Sequence, residues 1–201
     1  MKTFIFGAGG HAHVIASVLD VDVTFVVESE ALKGQISVTE FLLRIDDFRS
    51  DNIYIGIGNN RDRRKIFDKL LGLGVKPSTC VARHSFTARS AEIGVGATIL
   101  AGSVIGARAI VGDNAIVNTL SSVDHDCILG AHSQVTAGVT FGGTVRTGED
   151  CFFGVKSAVT PNRTIGNNVV VMAGSLVTEN ISDGVMVGGN PARVVKRLQR
   201  D

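Results

Sequence analysis

From residue 93 to residue 177, every sixth residue of this chain is apolar, with one exception. The fifteen positions are Ile93, Ile99, Ile105, Val111, Val117, Val123, Leu129, Val135, Phe141, Thr147, Phe153, Val159, Ile165, Val171 and Val177. In a chain that is 44% hydrophobic, about seven of them would be apolar by chance. Glycine follows the apolar residue in eight repeats, and the residue four places after it is often small, as at Ala97, Ser103 and Cys127. A fixed period of this kind constrains the fold more than any local pattern does.

A period of six matches neither the 3.6-residue turn of an α-helix nor the two-residue alternation of a strand. It predicts a short strand followed by a corner, with the apolar residue pointing inward, the small residue packed beside an inner corner, and glycine where the backbone turns. Three such units close one triangular coil of about 18 residues, so fifteen units give about five coils stacked ~4.8 Å apart. A β-sandwich would show turn clusters at irregular spacing, and none interrupts this run. The sequence therefore predicts a parallel β-helix.

Residues 1–85 follow a different pattern, in which strand-like and helix-like segments alternate. The predicted strands are Thr3–Phe6, Val23–Val27, Ile53–Ile57 and a short strand at Val81, and the predicted helices are His11–Leu19 and Arg61–Leu71, which ends at Gly72. Such alternation indicates a small parallel sheet covered by helices. We therefore predict two domains, a Rossmann-like α/β domain over residues 1–85 and an all-β helix over residues 86–201.

Composition and charge argue against several classes of protein. The net charge is +1, which gives no reason to expect nucleic acid or an anionic membrane as a partner. No apolar run approaches the ~20 residues of a membrane-spanning helix, and the N-terminus lacks the apolar segment of a signal peptide. The cysteines, Cys80, Cys127 and Cys151, include no CxxC pair. They predict reduced, buried thiols in a cytoplasmic protein.

A glycine-rich motif joins the first predicted strand to the first predicted helix. Residues Gly7–Ala12 fit the pattern G-x-G-x-x-[GA], and Glu28 follows about twenty residues later, at the end of the second strand. Such a loop presents backbone N–H groups to a phosphate, and the carboxylate can bind a ribose hydroxyl. The pattern is typical of dinucleotide sites, but this domain is too short to hold the second half of an NAD-binding domain. A second turn, Gly56-x-Gly58-Asn59, follows a later predicted strand.

His125 stands in the cluster VDHDC, two residues after an inward-pointing valine. Its side chain is predicted near a corner of the coil, where it can reach outward. Acyl transfer from a thioester needs a base for the nucleophile's proton and a donor for the tetrahedral oxyanion, and histidine suits the first role. An adjacent carboxylate can orient the imidazole. Asp126 can do so only if the chain bends at the corner, and Asp124 is the alternative. The competing interpretation is an ordinary surface histidine.

Metal catalysis in the β-helix is not expected. A solenoid metal site of the three-histidine type requires three converging side chains, and only His125 and His132 lie within the predicted coils. We therefore predict no metal ligands.

The sequence is similar to the NeuD/PglD-type bacterial sugar O- and N-acetyltransferases over essentially its whole length. The matching stretches are FGAGGHAHVI (6–15), IGIGNNRDRRKIF (55–67), NTLSSVDHDCILG (118–130), TAGVTFGGTVRTGEDCFFGVKSAVTPN (136–162) and GGNPARVVKR (188–197). This family joins a small nucleotide-sugar-binding domain to a β-helix of hexapeptide repeats. The resemblance implies that the β-helix is left-handed, that acetyl-CoA is the acyl donor, and that the protein is a homotrimer with active sites between subunits.

The resemblance also implies which residues bind the nucleotide-linked sugar. They are Gly9, Gly10 and His11, completed by Glu28 with Ser29 and by Gly58 with Asn59. Local roles compete with these assignments: His11 can be a helix-start residue satisfied by its neighbours, and Asn59 a helix cap. The basic residues that follow, Arg61, Arg63, Arg64 and Lys65, can equally form a solvated helix face.

In the β-helix, the resemblance favours Asp126 over Asp124 as the group that orients His125. It implies that acetyl-CoA is bound by Gln134, Gly143, Val155 and Ala173. Gln134 would donate a hydrogen bond, and the N–H of Gly143 would stabilise the oxyanion. Val155 and Ala173 would act through backbone groups and apolar contact, and plain coil packing explains these two residues equally well.

The function implied is acetyl-CoA-dependent N-acetylation of a 4-amino-4,6-dideoxy sugar linked to UDP, dTDP or GDP, in glycan biosynthesis. One alternative is an O-acetyltransferase of the same build that acts on a sialic acid or related sugar. The other is a non-enzymatic β-solenoid with a nucleotide-sensing domain. The adjacent His125 and Asp126 and the glycines of the donor side argue against the sensor.

Overall fold

The computed structural model describes residues 1–28 and 30–198. The chain divides into two compact units, the first spanning Met1–Cys80 and the second beginning at Val81. The division falls shortly before residue 85, where the sequence pattern changes. Among the described residues, no helix combines the length and apolar character needed to cross a membrane.

The first unit is a parallel four-stranded sheet with helices. Its elements are β1 (Thr3–Phe6), α1 (Gly10–Leu19), β2 (Thr24–Val27), β3 (Gln35–Ser37), α2 (Val38–Leu43), a 3-10 helix (Ile45–Phe48), β4 (Asn52–Ile55) and α3 (Asn60–Gly72). The strand order is β3-β2-β1-β4, with all neighbours parallel. The strands and helices predicted up to residue 72 are present in this unit. The short strand predicted at Val81 is present as Cys80–Val81, but it belongs to a sheet of the second unit. β3, α2 and the 3-10 helix were not predicted from the sequence.

Alternation along β1 builds the core on both faces of this sheet. Phe4 and Phe6 pack on one face against Phe41 of α2, with ring centroids 5.1 and 5.0 Å away, and Phe4 also contacts Phe48 at 4.6 Å. Ile5 points to the other face, where it lies in a cluster with Ala12 and Ile15 of α1. The unpredicted segment 35–48 is therefore ordered by aromatic packing against β1.

The second unit is a left-handed parallel β-helix with three faces. Its strands are β5 (Cys80–Val81), β6 (Phe86–Thr87), β7 (Glu92–Ile93), β8 (Thr98–Ile99), β9 (Val104–Ile105), β10 (Ile110–Val111), β11 (Ile116–Val117), β12 (Ser122–Val123), β13 (Ile128–Leu129), β14 (Gln134–Val135), β15 (Thr140–Phe141), β16 (Arg146–Thr147), β17 (Phe152–Phe153), β18 (Ala158–Val159), β19 (Thr164–Ile165), β20 (Val170–Val171), β21 (Leu176–Val177), β22 (Val185–Gly189) and β23 (Ala192–Arg197).

Successive strands lie on successive faces of the β-helix, and strands of the same face pair with one another. One face contains β7, β10, β13, β16 and β19, and a second contains β6, β9, β12, β15, β18 and β21. The third contains β5, β8, β11, β14, β17, β20 and β22, followed by the antiparallel β23. Ser122 pairs with Thr140 and Ile116 with Gln134. This offset is the predicted coil of eighteen residues, and the prediction of a β-helix is confirmed.

The inward positions predicted from the period form the core of the β-helix. From Ile99 to Val177 all of them are buried, and so are the small residues beside the corners, including Ala97, Ser103 and Cys127. Thr147, the polar exception, is buried with its hydroxyl satisfied: it accepts from the Gly130 N–H at 3.0 Å and donates to the Gly148 carbonyl at 3.2 Å. One threonine is therefore tolerated among apolar neighbours because its polar group is paired.

The corners differ from the prediction in one respect. Every sixth residue from Gly96 to Gly174 has a positive φ, between 51° and 71°, and ten of these fourteen are not glycine. The glycines that directly follow the inward residues are not in this left-handed region. A Cβ at Gly106 would lie 2.5 Å from the backbone nitrogen of His125 in the next coil. Those glycines are therefore required by the close approach of stacked coils, and the left-handed turn comes two residues later.

The three cysteines are buried and unpaired with one another, as predicted. Burial raises the pKa of the Cys80 and Cys151 thiols to about 11. Such thiols are protonated near neutral pH and are poor nucleophiles.

Candidate functional site

The glycine-rich loop of the first unit lies at the edge of the sheet where parallel strands end. β1 is flanked by β2 on one side and β4 on the other. Their carboxyl ends are followed by Gly7–Gly10, by Glu28 and by Gly56–Asn59, respectively. The connection from β1 runs to β2, whereas β4 adds on the opposite side, so the strand order reverses here. A crevice for a ligand is expected at such a reversal.

The loop geometry suits an anion. Gly7 has φ +94° and its N–H donates to the Val26 carbonyl at 2.8 Å, which fixes the turn. Gly9 is the N-cap of α1, and no side chain caps that helix start in the structure. At Gly9 and Gly10 a Cβ would meet no atom within 4 Å. The first N–H groups of α1 are therefore approachable by a phosphate, with the positive end of the helix dipole behind them.

Gly56 sets how closely α1 approaches the end of β4. A Cβ there would lie 2.6 Å from both the Cα and Cβ of Ala12, and 2.8 Å from Ile5 Cγ2. No residue larger than glycine fits without moving the helix. Gly56 therefore fixes the spacing between the two candidate ligand loops.

His11 is held neutral at the start of α1. Desolvation by burial, together with the positive charge of Arg63, lowers its pKa to about 4. Its Nε2 is buried and has no hydrogen-bond partner among the described residues. A neutral imidazole with an unpartnered nitrogen beside the glycine loop is suited to hydrogen-bond a ligand.

Arg63 is buried, unlike its basic neighbours. Its side chain is only 1% exposed, and Nη1 donates to the carbonyls of Ile57 and Gly58 at 3.2 and 3.1 Å, while Nη2 donates to Asn60 Oδ1 at 2.9 Å. The interpretation of the whole basic stretch as a solvated face is wrong for this residue. Arg63 instead stabilises the loop after β4 through these hydrogen bonds.

Asn59 caps α3, because its Oδ1 accepts from the Asp62 N–H at 3.1 Å. A ligand contact by Asn59 would therefore come from its amide nitrogen. Glu28 is exposed directly after β2, and Ser29 lies outside the described residues.

We expect the stability of the first unit to fall in acid because of His11. Its pKa is about 4 in the folded chain and about 6.5 when unfolded, so the unfolded chain binds more protons between these values. The free energy of unfolding should therefore decrease by on the order of 1–2 kcal/mol between pH 7 and pH 5. Urea titrations that follow Tyr54, the chain's only tyrosine and a residue of β4, would measure it.

A matched pair of variants separates His11 from other acid effects. His11→Asn should remove most of this pH dependence, whereas His13→Asn, at an exposed position of the same helix, should retain it. An unchanged pH slope in His11→Asn would show that His11 is not the responsible group.

The second candidate site is a ladder of residues on one corner of the β-helix. His125 occupies the position just before a left-handed corner residue, and Ala107, Gly143 and Pro161 occupy the same position in neighbouring coils. The coils are joined there by backbone hydrogen bonds. The Thr144 N–H donates to the His125 carbonyl at 2.9 Å, and the Asp126 N–H donates to the Ala107 carbonyl at 2.9 Å. The corner therefore holds the backbone of His125 rigidly, with its side chain 56% exposed.

Asp126 is the carboxylate that contacts the imidazole. His125 Nδ1 lies 2.8 Å from Asp126 Oδ2. Neighbours on a regular strand point to opposite faces, but Asp126 is a corner residue with φ +59°, and this bend brings the two side chains together. Asp124 has another partner, since its Oδ1 accepts from the backbone N–H of His125 at 2.6 Å.

Asp126 is ionised near neutral pH. Hydrogen bonds from Arg108 and then from His125 lower the pKa of its carboxyl to about 2. An ionised carboxylate can only accept, so Nδ1 carries the proton of the neutral imidazole, and Nε2 carries the lone pair. Nε2 is the nitrogen that a base would use.

Gly143 lies against the imidazole from one coil further on. A Cβ at this position would be 2.5 Å from both Cε1 and Nε2 of His125. The backbone of Gly143 therefore passes directly beside the nitrogen that carries the lone pair. This is the place where an N–H could meet an oxyanion formed next to the base.

The other residues assigned to the acyl donor lie elsewhere on the β-helix. Val155 and Ala173 stand one coil apart on a different corner, both exposed. Strands such as β15 separate that corner from the one with His125, a distance of roughly 17 Å for five extended residues. Gln134 lies on a third position, the face of β14, and is only 7% exposed. The structure thus groups His125, Asp126 and Gly143, and does not bring the remaining three to them within one chain.

His132 does not join the candidate site either. It is buried at a corner, where Asn114 Nδ2 donates to its Nδ1 at 2.9 Å. Both residues occupy the same corner of successive coils.

Comparisons with known proteins agree with both units. Residues 2–70 match the family described as PglD N-terminal domain. The acetyltransferase domain of PglB from Neisseria gonorrhoeae is 30% identical and superposes with a TM-score of 0.90, covering 96% of this chain and 99% of that one. The same domain in complex with acetyl coenzyme A is 31% identical, with a TM-score of 0.89 and coverage of 96% and 98%. A variant perosamine N-acetyltransferase from Caulobacter crescentus, in complex with CoA and GDP-perosamine, is 30% identical, with a TM-score of 0.89 and coverage of 98% and 97%.

Proposed function

The chain belongs to the NeuD/PglD-type bacterial sugar acetyltransferases, and on that premise we propose that it transfers the acetyl group of acetyl-CoA to the amino group of a nucleotide-linked 4-amino-4,6-dideoxy sugar. The observation that carries this proposal is the contact of His125 with the ionised Asp126, which leaves Nε2 as an exposed base beside Gly143. A purely nucleotide-sensing solenoid would have no need for that arrangement.

The positions of His125, Asp126 and Gly143 suggest a role for each of them in the acetyl transfer. The sugar amine attacks the thioester carbonyl, and His125 Nε2 accepts the proton that the nitrogen loses. The N–H of Gly143 stabilises the tetrahedral oxyanion, and Asp126 stabilises the imidazolium. Collapse of the intermediate expels the CoA thiolate, which takes the proton from His125. The products are the acetamido sugar and CoA with a free thiol.

The first unit would bind the acceptor, the nucleotide-linked sugar. The uncapped start of α1 and the open space at Gly9 and Gly10 suit a diphosphate, and Glu28 lies where a ribose hydroxyl would be reached. His11, Gly58 and Asn59 complete the lining of this proposed nucleotide site. The C. crescentus relative binds GDP-perosamine, which supports an amino sugar on a nucleoside diphosphate as the class of acceptor.

A thiol-release assay tests the proposal. The chain would be incubated with acetyl-CoA and with UDP-, dTDP- or GDP-linked 4-amino-4,6-dideoxy sugars, with free sialic acid as the contrast, and the product identified by mass. We expect turnover with one nucleotide-linked amine. Turnover only with sialic acid would instead indicate an O-acetyltransferase, and nucleotide binding without any turnover would indicate a sensor.

We also propose a cytoplasmic homotrimer with shared active sites. Three buried cysteines that form no disulfide with one another favour a reducing compartment. Because Val155 and Ala173 lie on a different corner from His125, a single prism would have to bind one ligand across an open, flat face. Three prisms around a threefold axis would set the His125 corner of one subunit beside the Val155 corner of the next. In that assembly acetyl-CoA would lie in the groove between subunits.

We expect light scattering to give three times the chain mass of 21.1 kDa. Mixing tests whether sites are shared: His125→Ala and Val155→Glu subunits, each inactive alone, should together recover up to about a quarter of wild-type activity, since that share of sites would draw both residues from intact chains. A fully active monomer would contradict the assembly. Verified subunit exchange without recovery would place both residues of a site on one chain.

A further inference from the structure

We propose that Arg108 is a positioning residue of the transfer reaction, holding Asp126 in the orientation that fixes His125. This inference rests on the proposed function. Arg108 acts through Asp126 and contacts neither the base nor, in the mechanism above, the reacting atoms. Nothing in the sequence similarity assigns it a role.

The geometry is that of a two-pronged clamp. Arg108 Nε donates to Asp126 Oδ1 at 2.7 Å and Nη2 donates to Oδ2 at 2.9 Å. Oδ2 is also the oxygen that accepts from His125 Nδ1. The two hydrogen bonds of the guanidinium fix the plane of the carboxylate, which a single hydrogen bond from the imidazole would leave free to rotate.

The repeat of the β-helix places Arg108 and Asp126 next to each other. Arg108 and Asp126 are the same corner position of consecutive coils, with φ of +58° and +59°. The backbone N–H of Arg108 donates to Ser90 Oγ of the preceding coil at 3.1 Å, so the corner itself is anchored. Arg108, Asp126 and His125 therefore form a continuous chain of contacts along one edge of the prism.

Stability does not explain this ion pair. The Arg108 side chain is 67% exposed, and exposed ion pairs contribute little to folding. Orientation of the carboxylate is a role for which an exposed guanidinium is adequate, because it depends on geometry more than on burial.

The experiment compares Arg108→Gln, which removes the charge and the clamp, with Arg108→Lys, which keeps the charge but cannot bind in two-pronged fashion. Arg44→Gln is the matched control, an exposed arginine whose ion pairs with Glu40 and Asp47 lie within the first unit. We expect Arg108→Gln to lower kcat about tenfold through misorientation. Arg108→Lys should also lower kcat, and Arg44→Gln should leave it unchanged.

A second measurement separates this inference from the proposed function. Nitrogen-15 NMR of the imidazoles, with His125→Ala used for assignment, reports the tautomer of His125 without any substrate. We expect the Nδ1-protonated tautomer in the wild type and a mixture of tautomers in Arg108→Gln. If no sugar supports turnover, the proposed function fails while the NMR result still decides whether Arg108 controls His125. An Arg108→Gln protein with wild-type kcat and the wild-type tautomer would overturn the inference.

Discussion

Replacing His125 by alanine should lower kcat by at least ~10²-fold while acetyl-CoA still binds. General-base assistance is typically worth about 10²–10⁴-fold in rate. The imidazole contacts Asp126 and the backbone of Gly143, and the coil does not need these contacts for folding. Its side chain is mostly exposed, so thermal stability should be unchanged. Steady-state thiol release together with calorimetry of CoA binding would separate lost chemistry from lost binding.

Three further variants make this prediction specific. Asp126→Asn should be milder than His125→Ala, and milder still should be Asp124→Asn, whose carboxylate contacts only the backbone N–H of His125. His84→Ala removes an exposed histidine elsewhere in the β-helix and should be silent. Near-wild-type turnover in His125→Ala would remove the residue from the role of base, and a larger effect of Asp124→Asn than of Asp126→Asn would reverse the choice of orienting group.

The fold of the second unit could be predicted because its core repeats. Each inward residue is buried by residues in the same position of adjacent coils, so the sequence period and the structural period are one quantity. The corners were harder, because left-handed φ values usually point to glycine, yet residues such as Arg108, Leu120 and Lys156 adopt them here. In this fold the stacked hydrogen bonds between coils impose the turn irrespective of the side chain.

The sequence contained signals for what was missed in the first unit. Ser37 and Glu40 have the spacing of a capping box, and in the structure Ser37 Oγ accepts from the Glu40 N–H at 3.1 Å, which starts α2. Arg63 precedes Ile66 and Phe67 at the spacing of the buried face of α3, so the helical period already placed this arginine inward. Its charge concealed that position.

Only the contact between neighbouring residues of the candidate site could be predicted from the sequence. Adjacent His125 and Asp126 could be proposed together because one corner bends between them. Arg108 stands eighteen residues before Asp126, and the coil length predicts that the two are stacked, but the sequence alone does not show that a side chain at such a corner will reach its neighbour. The separation of Val155 from His125 likewise became evident only from the three-faced geometry of the β-helix.

Gly143→Ala should abolish most of the activity while barely affecting stability, and Gly94→Ala should do the reverse. A Cβ at Gly143 would lie 2.5 Å from Cε1 and Nε2 of His125, the far end of an exposed side chain that can swing into solvent. The displaced ring would lose its hydrogen bond to Asp126, so we expect kcat to fall by at least ~10²-fold. The midpoint of thermal unfolding should change little.

At Gly94 the same methyl group meets backbone, because a Cβ would be 2.5 Å from the nitrogen of Asp113 in the next coil. Backbone in a stacked coil cannot move aside, so Gly94→Ala should cost about 1–3 kcal/mol of unfolding free energy and leave kcat near the wild-type value at a temperature where the chain is folded. Thermal unfolding and thiol release would be measured on both variants. Activity retained in Gly143→Ala would show that the imidazole need not stand against this glycine, and would remove Gly143 as well as the observed His125 geometry from the mechanism.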